Sequence, residues 1–302
     1  MIFLALNIFA SSMMTIIFKI SAVKKWDGDH VMLVNYIIAV LISLGSAISG
    51  GQLSSFVAVG QADFSTLLTE TTPGNSIAIS IILGGVLGCV FMLNLLVSKA
   101  SIAKNGAGLS TFFSKSAFLG GILFSAIIWK ETPSSLQWAG AALILAALIL
   151  MADDVKTLEI GSPTLFPILI LGGAIVELIY KAFAEYALPG HKPIFMLIVF
   201  FVALLMCVVK NIELTKSSSA AFRLTKQEIL LGLCLGTANT SASLFQLKAL
   251  ELFPTSIVFP TQAAGSLLLI YIICAVFFHE PLSKKQLAAV GISVVSLILV
   301  NV

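Results

Sequence analysis

The chain has 302 residues, of which 59% are hydrophobic and only 10% charged, with a net charge of +3. A soluble domain carries about 25% charged residues and a nucleic-acid partner calls for a concentrated basic face, so composition excludes both classes. Several apolar segments reach the ~20 residues that cross a bilayer as a helix. The predicted fold class is therefore an all-α polytopic membrane protein, with the lipid bilayer as its first partner.

Hydropathy predicts ten membrane helices, at about 2–23, 29–49, 75–99, 107–129, 135–152, 163–187, 191–210, 227–250, 255–278 and 283–301. Met1 opens directly on an apolar run longer than a leader's apolar core, so residues 1–23 read as a retained helix. Most connections are short, as between antiparallel neighbours. The longer 50–74 connection is rich in Gly, Ser and Thr and has no Lys or Arg.

The first helix carries Asn7, Ser11, Thr15 and Lys19 at four-residue spacing. That stripe must face protein or water rather than lipid. Lys19 lies near the helix end, where snorkelling to the interface competes with a cavity role. The second helix has Asn35 and Ser43 as its polar points. Gly84 and Gly88 of the third form a small-residue surface for close packing, and Asn94 follows. The fourth holds Lys115 about eight residues into its segment, too deep for easy snorkelling. The fifth, 135–152, is almost wholly apolar after its first turn and reads as peripheral.

The sixth helix is the most informative stretch. Glu177, Lys181 and Glu185 are four residues apart, so they share one face. A charge deep in a membrane helix costs roughly 3 kcal/mol or more, which makes it a functional-site hypothesis by default. The competing reading is a local Glu177–Lys181 pair that only packs helices, with Glu185 at the interface. The eighth helix adds Asn239, Ser243 and Gln246 on one stripe, and the ninth adds Gln262 and Ser266 beyond Pro260, which should kink it. The tenth, like the fifth, is nearly all apolar.

The two halves resemble each other. At an offset of 149 residues, Lys99-Ala100 falls on Lys248-Ala249, Glu131 on Glu280 and Gln137 on Gln286. Both glutamates have a proline nearby (Pro133, Pro281). Residues 1–152 and 153–302 then form two five-helix repeats. An odd helix number per repeat makes the second enter from the opposite side, the arrangement of alternating-access transporters.

This pattern resembles the drug/metabolite transporter superfamily in its ten-helix form of two EamA-type halves. The resemblance rests on the 5+5 duplication, the Lys-Ala pair ending helices three and eight, and Glu131 and Glu280 with a Gly-containing helix after each (Gly140, Gly291). It implies a central cavity among helices one to four and six to nine, with five and ten outside. The family often has glycine immediately before the glutamate, where this chain has Lys130 and His279.

Orientation follows the Lys and Arg excess of short loops. With Lys19, Lys115 and Lys181 set aside as intramembrane, eleven basic residues fall opposite the termini and three beside them. Family members usually have cytoplasmic termini; the count argues for non-cytoplasmic termini in a bacterial-type inner membrane.

The expected function is secondary active transport of a small polar metabolite, an amino-acid-like zwitterion or an anion. Lys19, Lys115, Lys181 and Glu177 are the cavity charges, and Asn7, Asn94, Asn239, Gln246 and Gln262 are the amides that complete substrate binding. Glu177 is the candidate coupling residue, for a proton or an exchanged substrate. The alternative is a proton-coupled exporter of cationic or apolar drugs, which needs a membrane carboxylate that Lys181 would weaken. An enzyme is disfavoured: His30, His191 and His279 sit at segment ends, and Cys89, Cys207, Cys234 and Cys274 read as apolar fillers. Neither set has metal-ligand spacing, and no cofactor is implied. Monomer and homodimer both stay open.

Overall fold

In hydrocarbon every backbone N–H and C=O must find its partner within the protein, so apolar stretches of this length are forced into helices. The computed structural model describes residues 1–105, 107–151, 161–217, 224–279 and 283–302. Among them are eleven α-helices: α1 Ile2–Val23, α2 Gly28–Ser49, α3 Pro73–Asn105, α4 Ala107–Lys115, α5 Phe118–Ile128, α6 Ser135–Met151, α7 Leu165–Tyr186, α8 Lys192–Ser217, α9 Lys226–Leu252, α10 Thr255–Phe277 and α11 Lys284–Val300. Eight stretches are long and apolar enough to cross a membrane, α4 and α5 counting as one (Leu109–Ile128) and α6 being a shorter apolar helix. That fits a polytopic integral membrane protein. Lys156, Arg223, Glu280, Pro281 and the predicted 152–153 boundary lie outside the described residues.

Eleven rather than ten helices arise because the predicted 107–129 segment is interrupted at Ser116–Ala117. Ser116 donates both its N–H (2.9 Å) and its hydroxyl (2.8 Å) to Phe112 O, and Leu119 N–H reaches back only three residues, to Ser116 O at 3.1 Å. A back-bonding serine bends its helix, and the shortened bond tightens the turn. Pro260, by contrast, sits inside a continuous α10. The expected kink there is not a break.

Two compact units make up the chain: Met1–Ser12, Leu93–Lys181 and Lys248–Val302 in the first, Met13–Met92 and Ala182–Leu247 in the second. Each draws on both predicted halves.

In the first unit α6 and α11 lie against each other, and α10 packs on α5, α6 and α11. Gly140 lets α6 approach α11 closely, since a Cβ there would come 2.5 Å from Val300 Cγ2. Its carbonyl accepts Ser296 Oγ at 2.8 Å. The other faces of the pair stay apolar and exposed, at Leu136, Ile149, Leu287 and Ile298 among others. Helices five and ten of the sequence reading are thus peripheral on one face and tightly packed on the other.

Both helices start alike. Ser134 and Gln137 exchange hydrogen bonds, Ser134 N–H to Gln137 Oε1 (3.0 Å) and Gln137 N–H to Ser134 Oγ (3.2 Å). Ser283 and Gln286 do the same at 2.9 and 3.2 Å. These are capping boxes, and they give the Gln137/Gln286 match a physical reason. Just upstream, Lys130 (φ 56°) and His279 (φ 51°) both take the left-handed conformation. That is where a glycine costs least.

In the second unit α2 packs on α8. Gly84 and Gly88 of α3 seat against Ile198, Val199 and Val202 of α8, as their spacing predicts. A second small-residue surface, Gly232 and Gly236 of α9, seats on Val34, Asn35 and Ile38 of α2. At one end of α2, Lys210 Nζ meets Asp29 Oδ1 at 2.6 Å. There Glu228 also accepts from the N–H groups of Asp27 (3.0 Å) and Thr225 (2.9 Å) and lies 3.2 Å from His30 Nδ1.

Candidate functional site

Within the first unit, three consecutive small residues bring α7 close to its neighbours. A Cβ on Gly172 would overlap the Asn94 amide of α3, one on Gly173 would overlap Ala117 at the α4–α5 break, and Ala174 meets Gly120 of α5. One turn on, Glu177 is carried straight at α5. Gly121 is the reason it fits: a Cβ there would run into Glu177 Oε2 and come 2.8 and 2.9 Å from the Phe259 ring of α10. The carboxylate therefore occupies a slot between a bare backbone and an aromatic face.

Glu177 Oε2 is buried and has no hydrogen-bond partner. The Gly121 N–H lies beside it but is committed to Ala117 O at 3.2 Å. Lys115, half-buried at the end of α4 just before the break, is within electrostatic reach of the carboxylate. No ion pair joins the two among the described residues. A buried carboxylate oxygen without a partner forfeits the hydration and hydrogen bonds it had in water.

Lys181 behaves differently from the sequence expectation of a local pair with Glu177. It is buried, and its Nζ bonds Glu131 Oε1 at 2.9 Å and sits 5.7 Å from the centre of the Trp129 ring. Glu131 Oε2 in turn accepts the Thr255 N–H at 3.0 Å and the Thr255 hydroxyl. Pro254, the residue preceding α10, offers no side-chain cap. Glu131 supplies that cap from another part of the chain, and an anion at a helix N-terminus is stabilised by the exposed N–H groups.

The remaining predicted residues divide between the units. Asn7 is buried on α1 in the first unit, where Ile8 packs on Gly265 of α10 and Ser12 Oγ donates to Ser266 O at 3.3 Å. Asn94 and Gln262 are half-buried in the same unit. Lys19, half-buried, belongs to the second unit, as do the buried Asn239 and Gln246. There Asn239 Nδ2 donates to Asn35 Oδ1 at 3.2 Å, while Asn35 Nδ2 is buried without a hydrogen-bond partner.

Sequence reasoning missed Gly121, Phe259, Glu131, Trp129, Thr255 and Asn35 as members of these clusters. A mid-helix Gly120-Gly121 pair beside a serine was the available signal for the slot. Glu131 was legible as one half of the repeated pair with Glu280, but nothing local tied a loop glutamate to Lys181 or to the α10 N-terminus.

No protein-family model matches the chain, and no curated protein does. Its fold does match solved structures. One, described only as "Crystal structure of protein", superposes with a TM-score of 0.68 at 13% identity, over 99% of this chain and 94% of that one. A likeness at that identity speaks to fold alone.

Proposed function

We propose that the chain is a secondary active transporter of the drug/metabolite transporter type, with ten crossings arranged as two inverted five-helix repeats. The repeated capping boxes and the left-handed residues at Lys130 and His279, both 149 residues apart, support the duplication at the level of the backbone. The cargo is a small polar metabolite carrying a carboxylate or phosphate, amino-acid-like in the zwitterionic case. The protein resides in a bacterial-type inner membrane with its termini non-cytoplasmic.

The observation that carries this reading is the Glu177 carboxylate, whose buried Oε2 has no hydrogen-bond partner among the described residues, with Lys115 within electrostatic reach of it. Two opposite charges held near each other but not joined leave room for a ligand that meets both. Lys115 offers a point-charge donor to an anionic group. Glu177 accepts from an ammonium, or holds a proton when none is present. Its proton occupancy depends on which cation stands nearby, which gives a physical route from binding to coupling. Asn94, Asn7 and Gln262 are the unit's candidate amides for the substrate's other polar groups.

Uptake of a radiolabelled panel into proteoliposomes tests the reading. Accumulation of an anionic or zwitterionic solute, reduced in Lys115→Met more than for a neutral analogue, is the expected result. Parent-like uptake in both Lys115→Met and Glu177→Gln overturns the assigned site. A C-terminal reporter that fluoresces only in the cytoplasm should stay dark, and a bright one reverses the orientation.

One observation favours a second reading, proton-coupled export of cationic drugs. The lysine that should have quenched Glu177 is engaged by Glu131, so the carboxylate stays free for an organic cation. Efflux of a cationic dye driven by an imposed pH gradient, lost in Glu177→Gln, distinguishes it.

A further inference from the structure

The connection between α2 and α3 is an ordered lobe that carries large apolar side chains among the polar ones on its outside. Gly51, at φ +65°, turns the chain out of α2 into a 3-10 helix, Gln52–Gln61. A set of hydrogen bonds then ties the following turns to the first turn of α3. Asn75 Oδ1 accepts the Asp63 N–H at 2.9 Å, and its Nδ2 donates to Glu70 O at 2.9 Å and to Thr66 O and Oγ1 at 3.3 Å. Gly74 completes the seat, because a Cβ there would lie 2.8 Å from Ala58 O and Gln61 C. A buried amide with three acceptors and one donor around it holds the backbone in one arrangement.

Against that polar interior, three large apolar side chains stand out most. Val57 is 81% exposed, Phe64 75% and Leu68 62%. Such side chains on a tied-down lobe cannot fold back among themselves. The lobe is fastened to the first turn of one membrane-length helix and leaves the last turn of another, so it stands at the level where the hydrocarbon ends. Residues 50–72 contain no Lys or Arg, with Asp63 and Glu70 as their acids. The Ser65 hydroxyl and N–H hold the Asp63 carboxyl below its usual range, which keeps that residue charged.

We infer that residues 51–72 form an interfacial lobe whose Val57, Phe64 and Leu68 insert among the upper acyl segments of the adjoining leaflet. The attraction is apolar, because a segment with two acids and no base gains nothing from anionic headgroups. The lipid it fits is therefore zwitterionic or neutral at the headgroup. Anchoring the lobe there would also fix the height at which α2 ends and α3 begins.

Phe64→Trp and Leu68→Trp, reconstituted in phosphatidylcholine vesicles, test this against Ser54→Trp and the parent. The added tryptophan emission should be blue-shifted and quenched several-fold more by lipids brominated near the headgroup than by acrylamide. It should be unchanged when phosphatidylglycerol replaces part of the lipid. Acrylamide quenching equal to that of Ser54→Trp puts the lobe in water and overturns the inference. Protection from both quenchers puts it under protein, a second copy or a partner, and overturns it equally. The parent chain gives an independent measurement: a lipid-borne diazirine should label peptides spanning 53–68. Labelling confined to the helices would count against the inference even if a tryptophan variant failed to fold.

Discussion

Glu131 and Glu177 belong to the same compact unit, both come up against α10 at its N-terminal half, and both lie near a lysine. Their surroundings are opposite. Glu131 bonds Lys181 at 2.9 Å and accepts twice from Thr255. Glu177 has a glycine backbone and a phenyl ring against it, and its Oε2 has no hydrogen bond. A carboxylate with partners on both oxygens is holding helices together. One denied partners stores an unmet demand that a ligand or proton can meet. The contrast lies in what each acid still lacks, not in depth or charge.

Removing Glu131 should have the largest effect on stability. Glu131→Ala takes the carboxylate away from the buried Lys181 ammonium and leaves the α10 N-terminus uncapped, at a cost of about 3 kcal/mol or more. The thermal midpoint in detergent should fall sharply. A double-mutant cycle with Lys181→Met should return a coupling of about 1–3 kcal/mol. Additive losses would make Glu131 as idle as the contrast says it is not.

Gly121→Ala comes next. The new methyl must displace the Glu177 carboxylate or the Phe259 ring, and overpacking of this kind costs about 1–3 kcal/mol. Combining it with Glu177→Ala should relieve most of that loss. If the double variant melts no higher than Gly121→Ala alone, the slot is not shaped around the carboxylate.

Glu177→Gln should barely change stability, by less than about 1 kcal/mol, because no bond of Oε2 is lost. Transport should nevertheless lose its response to a pH gradient. A large fall in melting temperature would show that Glu177 is structural after all and erase the distinction from Glu131.

The smallest effect belongs to the exposed faces of α6 and α11. Ile149→Leu and Ile298→Leu exchange one apolar group for another against lipid and should stay within about 0.5 kcal/mol. Gly140→Leu, on the packed face of the same helix, should not be tolerated. Equal tolerance in a melting screen would mean that α6 and α11 do not pack as described.

Much of the helical pattern was legible because length and hydropathy decide it in a hydrocarbon solvent. The break after Lys115 was not, since residues 107–129 are apolar on both sides of Ser116, and only a hydrogen bond back to Phe112 marks the interruption. The four-residue spacing correctly placed Glu177 and Lys181 on one face. It could not choose between two acids for Lys181, because the winner lies 50 residues earlier in a loop. Asn239 and Asn35 were each legible as polar points, but their pairing was not, since pairing across helices leaves no local periodicity. Gln137 and Gln286 were visible as a match before their role as caps was, because Ser134 and Ser283, three residues upstream, were not compared along with them.

Lys130 and His279 carry a consequence for how stiff the molecule is. Each forms an elbow where one helix ends and another begins, bent at a positive φ. Glycine would relax that bend by roughly 1 kcal/mol, but it would also let the elbow swing through angles that a side chain forbids. With lysine and histidine in place, each of these two residues is confined to a narrower set of backbone angles, which stiffens the chain at that point.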